Sequence, residues 1–217
     1  MVVFGNLFDS FKPDAGGAFI FMYLLLFMLV WMLGIIIERF ASIFVIANVN
    51  ADRFMAEIRK MVQAGDFKKA INLCKSAGKR ALPRVIMSAL IEAERRELID
   101  FRAVQNALDE TTLEVMPELG KNMPILAMIG NVSTLLGLMG TIFGLILSFE
   151  AASAGGGGSG DELAKGISVA MLTTLAGLIV AIPAIMGYAF INVKINAIIE
   201  DIDEHSVKLV HLLTGGR

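Results

Sequence analysis

Residues 168–184 read SVAMLTTLAGLIVAIPA, a stretch without Asp, Glu, Lys, Arg or His that nevertheless carries two adjacent threonines and a proline. Followed outward, the uncharged run covers 167–193, and two further runs, 18–37 and 123–149, are equally free of ionisable side chains. A helix needs about 20 residues to cross a hydrocarbon core. The stretch therefore predicts one transmembrane helix and the chain predicts three.

Hydrophobic residues make up 56% of the 217 positions, and the charges gather in blocks between the apolar runs. That division describes an integral membrane protein with a polar part. The first run is too long for a signal-peptide core, has no basic segment before it, and ends in Glu38 and Arg39 rather than at a small-residue cleavage site. It is expected to stay in the mature chain.

The segment from Asn48 to Lys121 holds most of the basic residues, whereas the opposite side offers only Lys12 and Lys165. The positive-inside rule places that segment in the cytoplasm, with Arg39 and Lys121 as the flanking charges that matter most. The expected topology is N-out, C-in. The expected divisions are an outer amphipathic segment 1–17, spans at 18–40, 122–150 and 167–193, a cytoplasmic helical domain 41–121, an outer Gly-rich loop 151–166, and a cytoplasmic C-terminal helix 194–217. A net charge of −2 argues against a nucleic-acid surface, and the lone Cys74 implies a free thiol.

Val3, Leu7 and Phe11 share one helical face, which suits either a short helix on the outer leaflet or a frayed terminus. In the polar segment, Phe54, Ile58, Met61 and Val62 recur at helical spacing, Gly65 ends that helix, and Asp66 is placed to cap the next one, running to Gly78. A third helix is expected after Pro83 to about Glu97, and a fourth, capped by Asp100, towards Pro117. No strand-like alternation interrupts them. The fold class is all-α: three transmembrane helices whose long helices extend into a cytoplasmic bundle. The run AGGGGSGDE lacks the GK[ST] ending and the preceding strand of a phosphate loop, so it reads as a linker.

Inside the spans the small residues are ordered. Gly130, Thr134, Gly137, Thr141, Gly144 and Ser148 follow at alternating steps of four and three, and Ala170, Thr174, Gly177, Ala181, Ala184 and Tyr188 repeat the pattern. Each set is one helical face. Two explanations stand: close packing of helices, which in lipid gathers small residues at contacts, or hydroxyls facing a polar path. Thr173, one position off the seam, is expected to bond its own backbone or serve a helix contact, and Pro183 to bend its helix. The uncharged runs 18–37, 123–149 and 167–193 hold no Asp, Glu, Lys, Arg or His, the usual marks of an ion relay. Either the protein does not conduct, or a partner brings the titrating side chain.

His205 and His211 lie six apart on a charged tail and read as solvated. No cofactor or metal site and no enzymatic nucleophile and base pair are expected.

LLGLMGTIFGLILSF (135–149) with LAKGISVAMLTTLAGLIVAIPA (163–184) resembles the paired membrane signature of the ExbB, TolQ and MotA proton-channel proteins. AGDFKKAINLCKSAG (64–78), LPRVIMSAL (82–90) and IIIERF (35–40) are similar to the ExbB and TolQ branch. The resemblance implies a non-enzymatic subunit in the bacterial inner membrane, surrounded by lipid: a homopentamer around an ExbD- or TolR-like dimer that carries an Asp in its single span, with a TonB-like protein as a further partner. It implies that Thr141 and Thr174 line a pore, together with Thr134, Ser148, Gly137, Gly144, Gly177, Ala181 and Tyr188. A TolQ-like or gliding-type motor, or a non-conducting scaffold, is the alternative. Two departures stand out. Val169 occupies the place of a family Glu, and Ser133-Thr134 replaces Ala-Pro.

Overall fold

The computed structural model describes residues 18–47, 51–78, 80–95, 100–154 and 160–215. Among them the chain is helical throughout, with no strand: α1 (Ala18–Phe40), a π-helical segment (Ala41–Ala47), α2 (Ala51–Gln63), α3 (Phe67–Ser76), α4 (Ala81–Arg95), α5 (Phe101–Gly120), α6 (Met123–Ala154) and α7 (Gly160–Thr214). Three of the helices are long and apolar enough to cross a membrane, so the protein is an all-α membrane protein. The amphipathic segment expected at 1–17 falls outside the described residues.

Two compact units divide the chain, one holding residues to 37 together with 122–189, the other holding 38–121 with 190–217. In the first, Met22 and Leu25 of α1 pack with Ala176 of α7 and Leu136 of α6. Phe21 meets Phe143 with ring centroids 5.7 Å apart. Large apolar side chains such as Trp31, Leu33, Ile142, Ile146 and Met186 remain exposed on these helices, the surface a helix offers to acyl chains or to other apolar helices.

The second unit is built from amphipathic helices. Ile58 and Val62 of α2, Ala70, Ile71 and Cys74 of α3, Val85, Ile86, Ala89 and Leu90 of α4, and Val104 and Leu108 of α5 are all buried. The Ser88 hydroxyl lies 2.7 Å from the Val85 carbonyl and 3.1 Å from that of Ala107, adding a polar tie between α4 and α5. Arg39 is only 4% exposed. Its guanidinium pairs with Glu38 and donates to the Glu118 carbonyl at 3.4 Å, while the Glu118 carboxylate takes Arg84 at 2.6 Å. A buried cation held this way keeps its stem in apolar surroundings and its donors occupied.

Local signals fared unevenly. Gly65 and Gly78 do adopt positive φ, 75° and 73°, which ends a helix at little steric cost. Asp100 caps α5, accepting from the Arg102 amide at 3.0 Å. Asp66 precedes α3 but makes no capping bond. Its carboxylate goes to Lys69 at 2.6 Å instead. Helix α4 begins at Ala81, earlier than expected, because Pro83 falls in its first turn, where a missing amide costs nothing. Helix α5 runs through Pro117 to Gly120, and α6 and α7 extend into the expected loop, to Ala154 and from Gly160. His205, expected in solvent, is 5% exposed with Nε2 3.8 Å from Asp52. Tertiary packing overrode a polar-looking tail; His211 stays exposed.

Burial pushes the Cys74 thiol up from 9.0 to about 12, since a thiolate would lose its hydration there. The folded state therefore holds this proton more tightly than the unfolded chain. The stability this contributes is present below pH 9 and is lost as pH rises from 9 towards 12. At pH 8 an alkylating reagent should leave Cys74 of the folded protein unmodified and label it rapidly in denaturant; fast labelling of the folded form would contradict the burial.

Candidate functional site

The two seams meet face to face. Gly137 of α6 lies against Gly177, Thr173 and Thr174 of α7, Gly144 against Ala170, and Gly130 against Ala184 and Ile185. As numbers rise on α6 they fall on α7, so the helices run antiparallel. The approach is close: a Cβ on Gly177 would stand 2.7 Å from the Ser133 carbonyl oxygen and 3.0 Å from the Gly137 Cα, and one on Gly137 would stand 3.0 Å from the Thr173 carbonyl oxygen. Backbone, not a flexible side-chain tip, blocks these positions. Such contact is what joins helices in lipid, where burial of apolar surface gives no gain over acyl chains.

At this crossing the hydroxyls gather. Thr141 and Thr174 share a short hydroxyl–hydroxyl hydrogen bond. Thr141 Oγ1 also lies 3.1 Å from the Gly137 carbonyl on its own helix and 3.1 Å from the Ala170 carbonyl on α7. Thr174 Oγ1 lies 3.2 Å from the Gly137 carbonyl. Thr173, fully buried, sits 2.7 Å from Ala170 O and 3.2 Å from Gly137 O, so it bonds both its own backbone and the neighbouring helix. Thr141 and Thr174 are only partly buried. Their oxygens can accept and donate together, which lets them solvate a charge or a neutral acid without titrating.

The other seam residues are spread along the helices. Thr134 donates to Gly130 O at 3.2 Å and Ser148 to Gly144 O at 2.7 Å, each satisfied one turn back on its own helix. Ala181 is buried and Tyr188 is half-buried, the latter about 21 Å along α7 from Thr174 at 1.5 Å per residue. Single-line spacing left Thr173 and Ser133, both wholly buried, off the seams, although the backbone and helix-contact role expected of Thr173 is the one it has. The buried stripe of α7 is two residues wide, taking in Thr173, Ala176 and Val180 beside Ala170, Gly177, Ala181 and Ala184, and a track of alternating fours and threes follows one column of it. The partner column at Ala170, Thr173 and Ala176 was available at steps of three.

The description of the MotA/TolQ/ExbB proton channel family matches residues 77–204, which include the whole of this crossing. The chain belongs to that family. It is 36% identical over 100 residues to the biopolymer transport protein exbB1 of Vibrio cholerae, covering 46% of this chain and 43% of that protein. It is 37% identical over 83 residues to the Tol-Pal system protein TolQ of Haemophilus influenzae, covering 38% and 36%. With the biopolymer transport protein ExbB of Aquifex aeolicus it shares 33% identity over 102 residues, covering 47% and 68%. The chain thus spans less than half of the length of the Vibrio and Haemophilus relatives.

The crossing sets a test of packing. Gly177→Ala should lower the thermal stability of the detergent-solubilised protein by about 1–3 kcal/mol, the usual cost of overpacking, whereas Gly34→Ala should be neutral because nothing lies within 4 Å of a Cβ there. Equal melting temperatures for the two variants would mean that the crossing is looser than described.

Proposed function

We propose that this chain is a proton-conducting subunit of an inner-membrane motor that couples the proton motive force to mechanical work in the cell envelope. In this reading five copies surround an ExbD- or TolR-like dimer whose spans carry the Asp that this chain lacks. The N-terminus faces the periplasm and the 41–121 helices face the cytoplasm. The observation that carries the reading is the Thr141–Thr174 hydroxyl pair, partly exposed on two helices whose apolar runs, 123–149 and 167–193, hold no Asp, Glu, Lys, Arg or His. Family membership supports proton transport, and the names of the Vibrio and Haemophilus relatives support biopolymer transport or a Tol-Pal role for the driven process.

The work divides between chains. A partner carboxylate brought to the threonine pair would find two oxygens able to donate to it when ionised and to accept from it when protonated. Neither threonine titrates, so each proton carried would be the carboxylate's own. Val169 leaves no second carboxylate on α7 near Ala170 and Thr173, and the cycle runs on the partner's group alone. The energising of TonB-dependent transport is the first candidate for the work done; a Tol-type motor is the second.

Thr141→Val and Thr174→Val remove the hydroxyls and keep the shape. Each should lower proton flux into membrane vesicles containing the chain and its native partners by about tenfold or more, as expected for loss of one hydrogen bond to a charged group. Unchanged flux in the double variant, at normal protein level, would leave the scaffold reading in its place.

A further inference from the structure

The threonine cluster has more hydroxyl donors than carbonyl acceptors. Three hydroxyls, those of Thr141, Thr173 and Thr174, lie within 3.2 Å of the Gly137 carbonyl oxygen. In a regular helix that oxygen already accepts the amide of residue 141, and a carbonyl offers two lone pairs. One hydroxyl at a time can use what is left. The second acceptor, Ala170 O, is approached by Thr173 at 2.7 Å and Thr141 at 3.1 Å, and it too has one lone pair beyond its helical bond.

Thr173 is nearer to Ala170 O than Thr141 is, and nearer to it than to Gly137 O, 2.7 Å against 3.2 Å. Its side chain fills a notch made by Gly140, where a Cβ would stand 2.8 Å from Thr173 Oγ1 and 2.9 Å from its Cβ. With the Thr173 proton on Ala170 O, the Thr141 hydroxyl is left with Gly137 O, with Thr174, or with Thr173 Oγ1 at 3.5 Å, the longest and weakest of the three contacts. Two orders of donation then remain for the pair: Thr141 to Thr174 to Gly137 O, or Thr174 to Thr141 to Gly137 O. The end distances, 3.1 Å from Thr141 and 3.2 Å from Thr174, make them nearly equivalent.

We propose that Thr173 is a positioning residue for the proton path: by occupying Ala170 O it keeps Thr141 and Thr174 linked to each other, so that the pair can reverse its direction of donation as the partner's carboxyl group gains or loses its proton. Without the Thr173 hydroxyl, Thr141 can donate to Ala170 O while Thr174 donates to Gly137 O. Both protons are then held by backbone carbonyls and the link between the two hydroxyls is broken. The proposal rests on the proton-path reading of Thr141 and Thr174.

The test is proton flux into vesicles containing the full chain with its native membrane partners, with the chain's amount and its co-purifying partners measured alongside. Thr173→Val keeps the shape in the Gly140 notch and loses the hydroxyl; Thr173→Ser keeps the hydroxyl and loses a methyl. Flux should fall about fivefold in the Val variant, the equilibrium weight of one net hydrogen bond, and stay near the parent level in the Ser variant. Thr173→Ala, also without a hydroxyl but smaller, should fall likewise and decides the matter if the Val variant does not accumulate. Parent-level flux in the hydroxyl-free variant overturns the proposal. So does a Ser variant that falls as far as Val, since packing alone would then account for the residue. If Thr141→Val and Thr174→Val also conduct normally, the proton-path reading fails; if they stop flux while Thr173→Val does not, only the positioning role fails.

Discussion

Backbone contact between α6 and α7 at Gly137 and Gly177 is the constraint on which the rest of the crossing depends. With Cα atoms and carbonyls where side chains would otherwise stand, the two helices come close enough for a hydroxyl on one to reach a carbonyl on the other. In hydrocarbon no water competes for these groups, which favours partners within the protein, although the buried Ser133 hydroxyl has none among the described residues. The glycines and the threonines thus belong to one arrangement: the first permits the approach, and the second uses it.

The packing and polar-path explanations of the seams therefore do not exclude each other. Gly130, Gly144 and Ala184 answer to packing, and Thr134 and Ser148 are satisfied on their own helices. Among the described residues, only at Thr141, Thr173 and Thr174 do hydroxyls bond across the contact. A cluster that can donate and accept but cannot titrate suits assistance to another group's proton better than carriage of its own. Membership of the MotA/TolQ/ExbB proton channel family gives that chemistry its natural setting.

The second unit follows soluble-protein rules. Its helices are amphipathic, and its core is a run of Ile, Val, Ala and Leu at helical spacing. Two of its polar residues are tied by hydrogen bonds, Arg39 by Glu38 and the Glu118 carbonyl and Ser88 by the Ala107 carbonyl, while His205 Nδ1 and Ser206 Oγ are buried without one among the described residues. This periodicity made the helices readable in advance. What was not readable was competition among partners: Asp66 prefers Lys69 to its own cap, and the tail that looks solvated buries His205 beside Asp52.

Composition and period alone were enough for the class of the protein, its three apolar helices and the small-residue faces of α6 and α7, because length against bilayer thickness and a repeat near 3.6 are properties of local sequence. The helix-ending glycines and the Asp100 cap were legible for the same reason, being local in origin. The pairing of those faces, their antiparallel register and the partners of each hydroxyl belong to the tertiary structure. Thr173 shows why. One position off a seam it looked secondary, yet a helical face is wider than one column, and only the depth to which α6 and α7 interlock decides which column is buried.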